Sequence, residues 1–308
     1  MNLTQIIKKF HEMDFCFIVT GANGWFGKYI LEILHNNLAE EFTERVFAIS
    51  NSTKEIKLQK GLIVKCIDYS AILQKNKKYI ILHFAFLTQD AMFTNSEADF
   101  IKINLEIRSL VTNIINTNNV NKMLYISSGA VYNESNLYGR LKKEDEKYFI
   151  DLTLSRNCEI IIPRVFNVAG PYINKYNAYA LSNFICQAIE NKKITINSKS
   201  LTYRNYVHIS NIFEVCLAWL LDKNKLEKSL IFDASTKDSI ELGVLAEEIA
   251  KISQDNIKIS RELDVAMEKQ CYAGDSKQFT FLATQYKVTI HDLQTMLKET
   301  FNFIHDHK

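Results

Sequence analysis

The sequence predicts a doubly wound α/β fold, a parallel sheet with helices on both faces. Three observations carry the prediction. The apolar runs that read as strands are continuous rather than alternating, the pattern of strands buried on both sides. Helical stretches lie between several of them, which is the order of elements that builds α/β layers. The first strand breaks at a glycine-rich turn that opens directly into a helix.

Along the chain, residues 1–14 place Leu3, Ile6, Ile7, Phe10 and Met13 at helical spacing, so a short amphipathic helix packs on the body. Residues 15–20 form a solid apolar strand, and Ile30, Leu31, Ile33, Leu34 and Leu38 mark the helix after the turn. Runs at 45–50, 62–67, 79–84, 122–127 and 159–166 read as further buried strands. The clearest intervening helix is 97–117, with Ile103, Ile107, Leu110, Val111 and Ile114 on one face. Beyond Pro171 the rhythm fades. Helices are expected at 178–190, 210–221, 240–252 and 289–303, with short strands at 193–196 and 203–208. The dinucleotide-binding part is therefore placed at residues 1–170. A smaller C-terminal α/β domain, 171–308, takes the substrate and returns some segments to the first sheet.

The 308 residues suffice for one large core or two fused ones, since single cores stop growing near ~250–300 residues. With 47% hydrophobic and 23% charged residues the composition is that of a folded, soluble protein. A net charge of +2 argues against nucleic acid or a membrane surface as the main partner. The six cysteines are scattered without zinc or redox spacing, and are read as reduced thiols packed in a core. With no leader segment and no apolar run near ~20 residues, the expected location is the cytoplasm.

Three motifs carry chemistry. Gly21-Ala22-Asn23-Gly24-Trp25-Phe26-Gly27 joins a strand to a helix, where glycines let the backbone approach a pyrophosphate at the helix N-terminus. Tyr138-Gly139-Arg140-Leu141-Lys142 sets a Tyr and a Lys four apart, on one helix face. The ammonium favours a phenolate, which suits Tyr138 to acid/base work on a hydroxyl or ketone. Ser127-Ser128-Gly129-Ala130-Val131-Tyr132 follows the fifth expected strand, at the sheet end where open α/β folds bind ligands.

Together these motifs resemble the extended short-chain dehydrogenase/reductase family, in the branch that modifies nucleotide sugars. The resemblance spans nearly the whole chain and implies a Rossmann domain with a nucleotide-sugar domain behind it. It implies Ser128, Tyr138 and Lys142 as catalytic residues, with Asn104 of the central helix. It implies that Gly21, Asn23, Gly24, Trp25, Phe26 and Gly27 bind the cofactor, and that His83-Phe84-Ala85-Phe86 matches a cofactor-lining His-x-Ala-Ala segment, with Ala85 at the cofactor and Lys142 on the nicotinamide ribose. In Arg164–Pro171 the family's substrate-touching Asn is matched by Asn167. Arg204 in Arg204-Asn205-Tyr206-Val207-His208 matches the arginine that grips the nucleotide diphosphate, a task suited to a bidentate guanidinium.

Three departures refine the expectation. Only ten positions separate Ser128 from Tyr138, so the pocket is expected to be more open. Gly129-Ala130 stand where sugar 4,6-dehydratases carry Asp-Glu, which disfavours dehydration. Ser50 stands where NAD-preferring relatives place an acid, with Lys54 close behind and Asp68 at the adenine pocket; this leans to NADP(H) over NAD(H). The expected activity is hydride transfer at a ring carbon, C4, of a nucleotide-activated sugar. The lean is to a keto-sugar reductase, with a 4-epimerase as the alternative and a non-catalytic nucleotide-binding regulator as the remote one. A homodimer is expected through the helices at 97–117 and 137–156, which pair in relatives.

Overall fold

The computed structural model describes residues 1–51, 54–68 and 77–308. In chain order it runs α1 (Leu3–Glu12), β1 (Phe15–Thr20), α2 (Trp25–Leu38), α3 (Phe42–Arg45), β2 (Val46–Ile49), β3 (Glu55–Lys57), β4 (Ile63–Lys65) and β5 (Lys78–His83). It continues with α4 (Glu97–Thr117), β6 (Val120–Tyr125), β7 (Ser127–Ser128), α5 (Leu137–Ser155), β8 (Glu159–Val165), β9 (Val168–Ala169), α6 (Ala180–Asn191), β10 (Lys193–Ile196), β11 (Thr202–Asn205) and β12 (Val207–His208). It closes with α7 (Ile209–Leu221), β13 (Ser229–Ala234), β14 (Ser239–Glu241), α8 (Leu242–Ser253), β15 (Lys258–Arg261), β16 (Gln270–Tyr272), α9 (Lys277–Gln285) and α10 (Leu293–His307). No helix among the described residues is long and apolar enough to cross a membrane.

The chain divides into two compact units. The first is Met1–Arg164 with Glu214–Phe232, and the second is Val165–Phe213 with Asp233–Lys308.

The main sheet has the order β13-β8-β6-β5-β1-β2, with β7 beside β8. The pairs β1–β2, β1–β5, β5–β6 and β6–β8 are all parallel. Alternate residues of a strand face opposite sides, and β1 is buried at all six positions. That is why its sequence is an unbroken apolar run. On one side Cys16, Ile18, Tyr79, Ile81, Met123, Tyr125, Ile160 and Ile162 pack with Val111, Ile114 and Ile115 of α4 and Phe149 of α5. Each such side chain contributes roughly 1.5–3 kcal/mol of burial. From β1 the chain passes to β2 on one flank and then to β5 on the other, so the winding reverses between β1 and β5. Ligands of open α/β sheets bind at such a reversal, at the carboxyl ends of the strands.

Four expectations shift. The run at 62–67 is not a strand of the main sheet. Its core, β4, pairs antiparallel with β3 in a separate two-stranded sheet, where Ile63 is 51% exposed and only Val64 points inward. On α4 the fully buried face is Phe100, Asn104, Val111, Ile114 and Ile115, while Ile103, Ile107 and Leu110 are half-buried. The expected strand at 203–208 is two strands in two sheets, β11 and β12. Side chains take over the backbone at the break: Asn205 Nδ2 donates to Thr236 O at 2.9 Å and Thr236 Oγ1 donates to Tyr206 O at 2.8 Å. Of the cysteines, Cys16, Cys158, Cys186 and Cys216 are buried, Cys66 is half-buried and Cys271 is exposed.

In the second unit, β11 sits between antiparallel β14 and parallel β16, while β10 pairs with β15 and β12 with β9. Helices α6, α8 and α10 pack on one another.

Candidate active site

The glycine turn leaves β1 at Thr20, whose neighbours across the sheet are Ile49 and His83. Gly21 has φ +66° and lies against the next strand end: a Cβ there would meet Ala85 N at 2.5 Å and Phe84 C at 2.6 Å. A Cβ on Gly27 would meet Ala22 Cα and O at 2.6 Å each. Only glycine fits either place, so the turn stays tight and the start of α2 is held close beneath it. Gly24 caps α2 without a side-chain hydrogen bond, and Gly24 N donates to Gly21 O at 2.9 Å. A helix start without a side-chain cap presents backbone N–H groups and a positive dipole end. This cradle fits the pyrophosphate of a dinucleotide. Asn23, Trp25 and Phe26 belong to the same turn, and the Phe26 ring lies 5.9 Å from that of Phe84.

Ser50 follows the last residue of β2. Ile67 N donates to Ala48 O at 2.9 Å and Cys66 N donates to Lys54 O at 2.8 Å. The segment ending in Asp68 therefore runs beside β2, with exposed Lys54 tied alongside. Ser50, Lys54 and Asp68 are gathered near the end of one strand.

Ser127 and Ser128 follow β6 as β7, which pairs with β8. Ser128 Oγ accepts from Ala130 N at 3.2 Å and so caps a short 3₁₀ turn, Gly129–Tyr132. A hydroxyl that accepts one bond still has its hydrogen to donate. Asn136 then caps α5, accepting from Tyr138 N at 3.0 Å and Gly139 N at 3.4 Å. That fixes Tyr138 in the first turn of α5, with Lys142 one turn later. Gly139 carries no Cβ because one would run into the Ala130 carbonyl, with Ala130 C at 2.8 Å and Asn133 O at 3.3 Å. The ten-position segment thus folds flat onto the helix start.

Lys142 is 4% exposed. Its Nζ donates to Ile126 O at 2.8 Å and sits 4.1 Å from the ring centre of Phe86 and 4.6 Å from that of Tyr125. Burial pushes its pKa down to about 7 against the opposing attraction of Asp145 and Glu146. Phe86 also meets Tyr138 edge to face at 5.6 Å. His83 is fully buried, hydrogen-bonded through Nδ1 to Thr20 Oγ1 at 2.6 Å and stacked on Tyr125 at 5.2 Å. Burial lowers its pKa to about 3, so the ring is neutral.

Asn104 stands elsewhere than at an open face. Its Oδ1 accepts from Leu87 N at 2.8 Å and its Nδ2 donates to Phe100 O at 3.0 Å. In the second unit, Asn167 Nδ2 donates to Asn205 O at 3.0 Å and Tyr272 O at 3.2 Å. Arg204 pairs in register with Tyr272 and holds its guanidinium 5.8 Å from the centre of that ring. Asn167 and Arg204 are thus brought together around Tyr272, a residue that no motif singles out.

The charge-dense run 142–147 reads in the sequence as a solvated helix face, but Lys142, Asp145 and Glu146 within it are buried. Glu146 lies one turn beyond Lys142 and is 3% exposed. It accepts from Ser127 Oγ at 2.5 Å and from Arg164 Nε and Nη2 at 2.9 and 2.7 Å. Arg164 Nη1 donates in turn to Tyr132 Oη at 2.8 Å. This network ties β8, α5 and the Ser128 turn together. The signal was the spacing Tyr138, Lys142, Glu146, three residues in steps of four.

Known proteins share this architecture. UDP-N-acetylglucosamine 4-epimerase from Methanobrevibacter ruminantium aligns with a TM-score of 0.75 at 17% identity, over 95% of this chain and 99% of that one. UDP-glucuronic acid 4-epimerase from Bacillus cereus, solved with UDP-glucuronic acid and NAD, gives 0.72 at 18% identity over the same shares. In sequence, UDP-glucuronic acid decarboxylase 6 of Arabidopsis thaliana is 22% identical over 238 residues, 67% of this chain and 66% of that relative. The chain spans just under two thirds of the length of that curated relative. The glycine cradle, the sheet reversal and the Tyr138–Lys142 helix all lie within residues 17–233, the stretch matched by one family model, and on that match the chain belongs to the NAD dependent epimerase/dehydratase family.

Proposed function

We propose that the chain transfers a hydride between a nicotinamide dinucleotide and C4 of a nucleotide-activated sugar. The observation that carries the reading is Tyr138 and Lys142, one turn apart on α5, with the Ser128 turn folded against the same helix end. When bound, the nicotinamide supplies the hydride acceptor and donor. The residues of the chain do the rest. The turn from Gly21 to Gly27 holds the pyrophosphate, Asn23, Trp25 and Phe26 included, with Ala85 beside it. Ser50, Lys54 and Asp68 serve the adenosine end, where a neutral Ser50 supports NADP(H) while the Bacillus cereus relative is named with NAD. Tyr138 moves the proton at the sugar oxygen, Lys142 favours its phenolate, and Ser128 donates to the same oxygen. Asn167 and Arg204 hold the nucleotide sugar.

Epimerisation is the first reading of this chemistry, supported by the 4-epimerases to which the fold is similar from end to end. One-way reduction of a 4-keto sugar is the second, supported by the short segment from Ser128 to Tyr138, which leaves Tyr132 60% exposed. Stoichiometry separates them. Incubation with nucleotide sugars and nucleotide 4-keto-6-deoxy sugars, with NAD(P)H absorbance followed, yields two interconverting C4 epimers without net consumption for an epimerase. A reductase consumes one cofactor per product. Inertness toward the whole panel overturns the proposal.

We also propose a homodimer through α4 and α5. Both helices carry exposed apolar side chains, Leu105 and Leu154 at 43% each. A monomeric mass in light scattering at micromolar concentration overturns it.

A further inference from the structure

We infer that Phe86, strapped in place by Asn104, is a positioning residue that covers the Lys142 ammonium and braces the Tyr138 ring. The inference rests on the reading of Tyr138 and Lys142 as the proton-handling pair, and goes beyond it by naming what holds that pair.

Lys142 reaches between two rings to a single carbonyl. Phe86 lies against Nζ on one side at 4.1 Å, Tyr125 at 4.6 Å, and Ile126 O accepts its hydrogen bond at 2.8 Å. The same Phe86 ring stands at 83° to Tyr138 with centroids 5.6 Å apart. One side chain therefore touches both members of the pair.

The loop carrying Phe86 is fastened immediately afterwards. Leu87 N–H donates to Asn104 Oδ1, and Asn104 Nδ2 donates to Phe100 O one turn earlier on α4. With one end on a donor and the other on an acceptor, the amide has a fixed orientation, and at 3% exposure neither bond is exchanged for water. Phe86, Leu87, Ala91, Met92 and Tyr138 then pack around buried Phe100, Leu137 and Leu141. Asn104 acts on Tyr138 and Lys142 through this strap.

The charged and titratable groups around Lys142 are His83 from β5, Tyr125 from β6, and Asp145 and Glu146 from α5, with Tyr138 packed on the Phe86 ring that covers it. Asp145 is paired with Arg108 and Glu146 with Arg164, so neither carboxylate is given over to the ammonium alone. A ring face attracts an ammonium, yet water solvates it better. Taking Phe86 away lets water reach Nζ, and Lys142 moves back toward an ordinary lysine.

The test is the titration of Lys142 in the full-length chain without cofactor, followed by NMR of labelled lysine side chains and assigned by its loss in Lys142→Met. The expected wild-type midpoint is near the value of about 7 set by burial. Phe86→Ala shifts it upward by about one pH unit or more, Asn104→Ala shifts it the same way, and Phe86→Tyr leaves it in place. Should Phe86→Ala not fold, Phe86→Leu keeps water out while removing the ring face, and lowers the midpoint instead. An unchanged midpoint in folded Phe86→Ala or Phe86→Leu overturns the inference. In an active enzyme Phe86→Ala also moves the pH profile of kcat upward with little change in KM. The titration needs no turnover, so its failure is distinct from failure of the proposed reaction, which the activity of Tyr138→Phe decides.

Discussion

Gly139 and Ala130 are packed backbone to backbone: the first turn of α5 lies so close beneath the Ala130 carbonyl that no Cβ fits between them. This contact sets how Ser128 is presented, because Ser128 caps the same 3₁₀ turn. Gly139→Ala would gain up to ~1 kcal/mol in helix propensity, but overpacking against backbone costs about 1–3 kcal/mol. A lower melting temperature is expected, at roughly 2–4 °C per kcal/mol, with at least a tenfold loss in kcat/KM. A variant as stable and active as the parent would show that the turn shifts freely.

The pair of Arg164 and Glu146 should respond asymmetrically to mutation. Arg164→Met leaves a buried carboxylate without its cation, a change that costs about 3–5 kcal/mol. Glu146→Gln keeps an acceptor for Ser127 and leaves a guanidinium whose side chain is 20% exposed and still solvated in part, so the loss is smaller. Urea midpoints of the two variants check the order. Equal losses would mean that the charge on Glu146 is not what Arg164 stabilises.

Tyr138→Phe deletes a hydroxyl and little packing, and the ring keeps its contact with Phe86. Turnover should fall by a factor of ~10²–10⁴, the range of general acid–base contributions, while cofactor binding by titration stays near wild type. Substantial residual turnover removes Tyr138 from the proton path.

His83 imposes a pH dependence of known sign. Its folded-state pKa is lowered to about 3 from 6.5, so the unfolded chain binds the extra proton first as pH falls. Stability contributed by the neutral ring is intact above pH 6.5 and is lost between 6.5 and about 3, at up to ~1.4 kcal/mol per pH unit. Comparing urea midpoints between pH 5 and 7, His83→Gln should show a shallower acid loss than the parent. Parallel curves would mean that other groups set the acid limb.

Ser50→Asp should move cofactor preference toward NAD(H), since a carboxylate there holds a ribose hydroxyl and repels a 2′-phosphate. Fluorescence titration with both cofactors reads the ratio. A parent that already prefers NAD(H) strongly would assign Ser50 another place.

The sheet was legible because burial on both faces writes a strand as an unbroken apolar run, as at 15–20, where expected and observed bounds coincide. The same reasoning misplaced 62–67, since a short run with Ile63 and Val64 reads alike whether both faces or one is covered. The edge strand β13 passed unnoticed, because Ser229, Leu230 and Ile231 are only half-buried and leave no clean pattern. Within the site, Tyr138 and Lys142 announced themselves by spacing. Phe86 and Tyr272 did not, because an aromatic residue in a sequence says nothing of which cation it will cover.

Strand β13 has a consequence for the order in which the protein is made. It completes the edge of a sheet whose other strands are all synthesised by Val165, yet it emerges only after Ser229, once much of the second unit has been translated. Until then β8 has an open flank. The nascent first unit therefore waits on a late segment, with an unpaired strand edge of the kind that invites association between chains. Ribosome-bound intermediates shorter than this point are where a chaperone would be needed most.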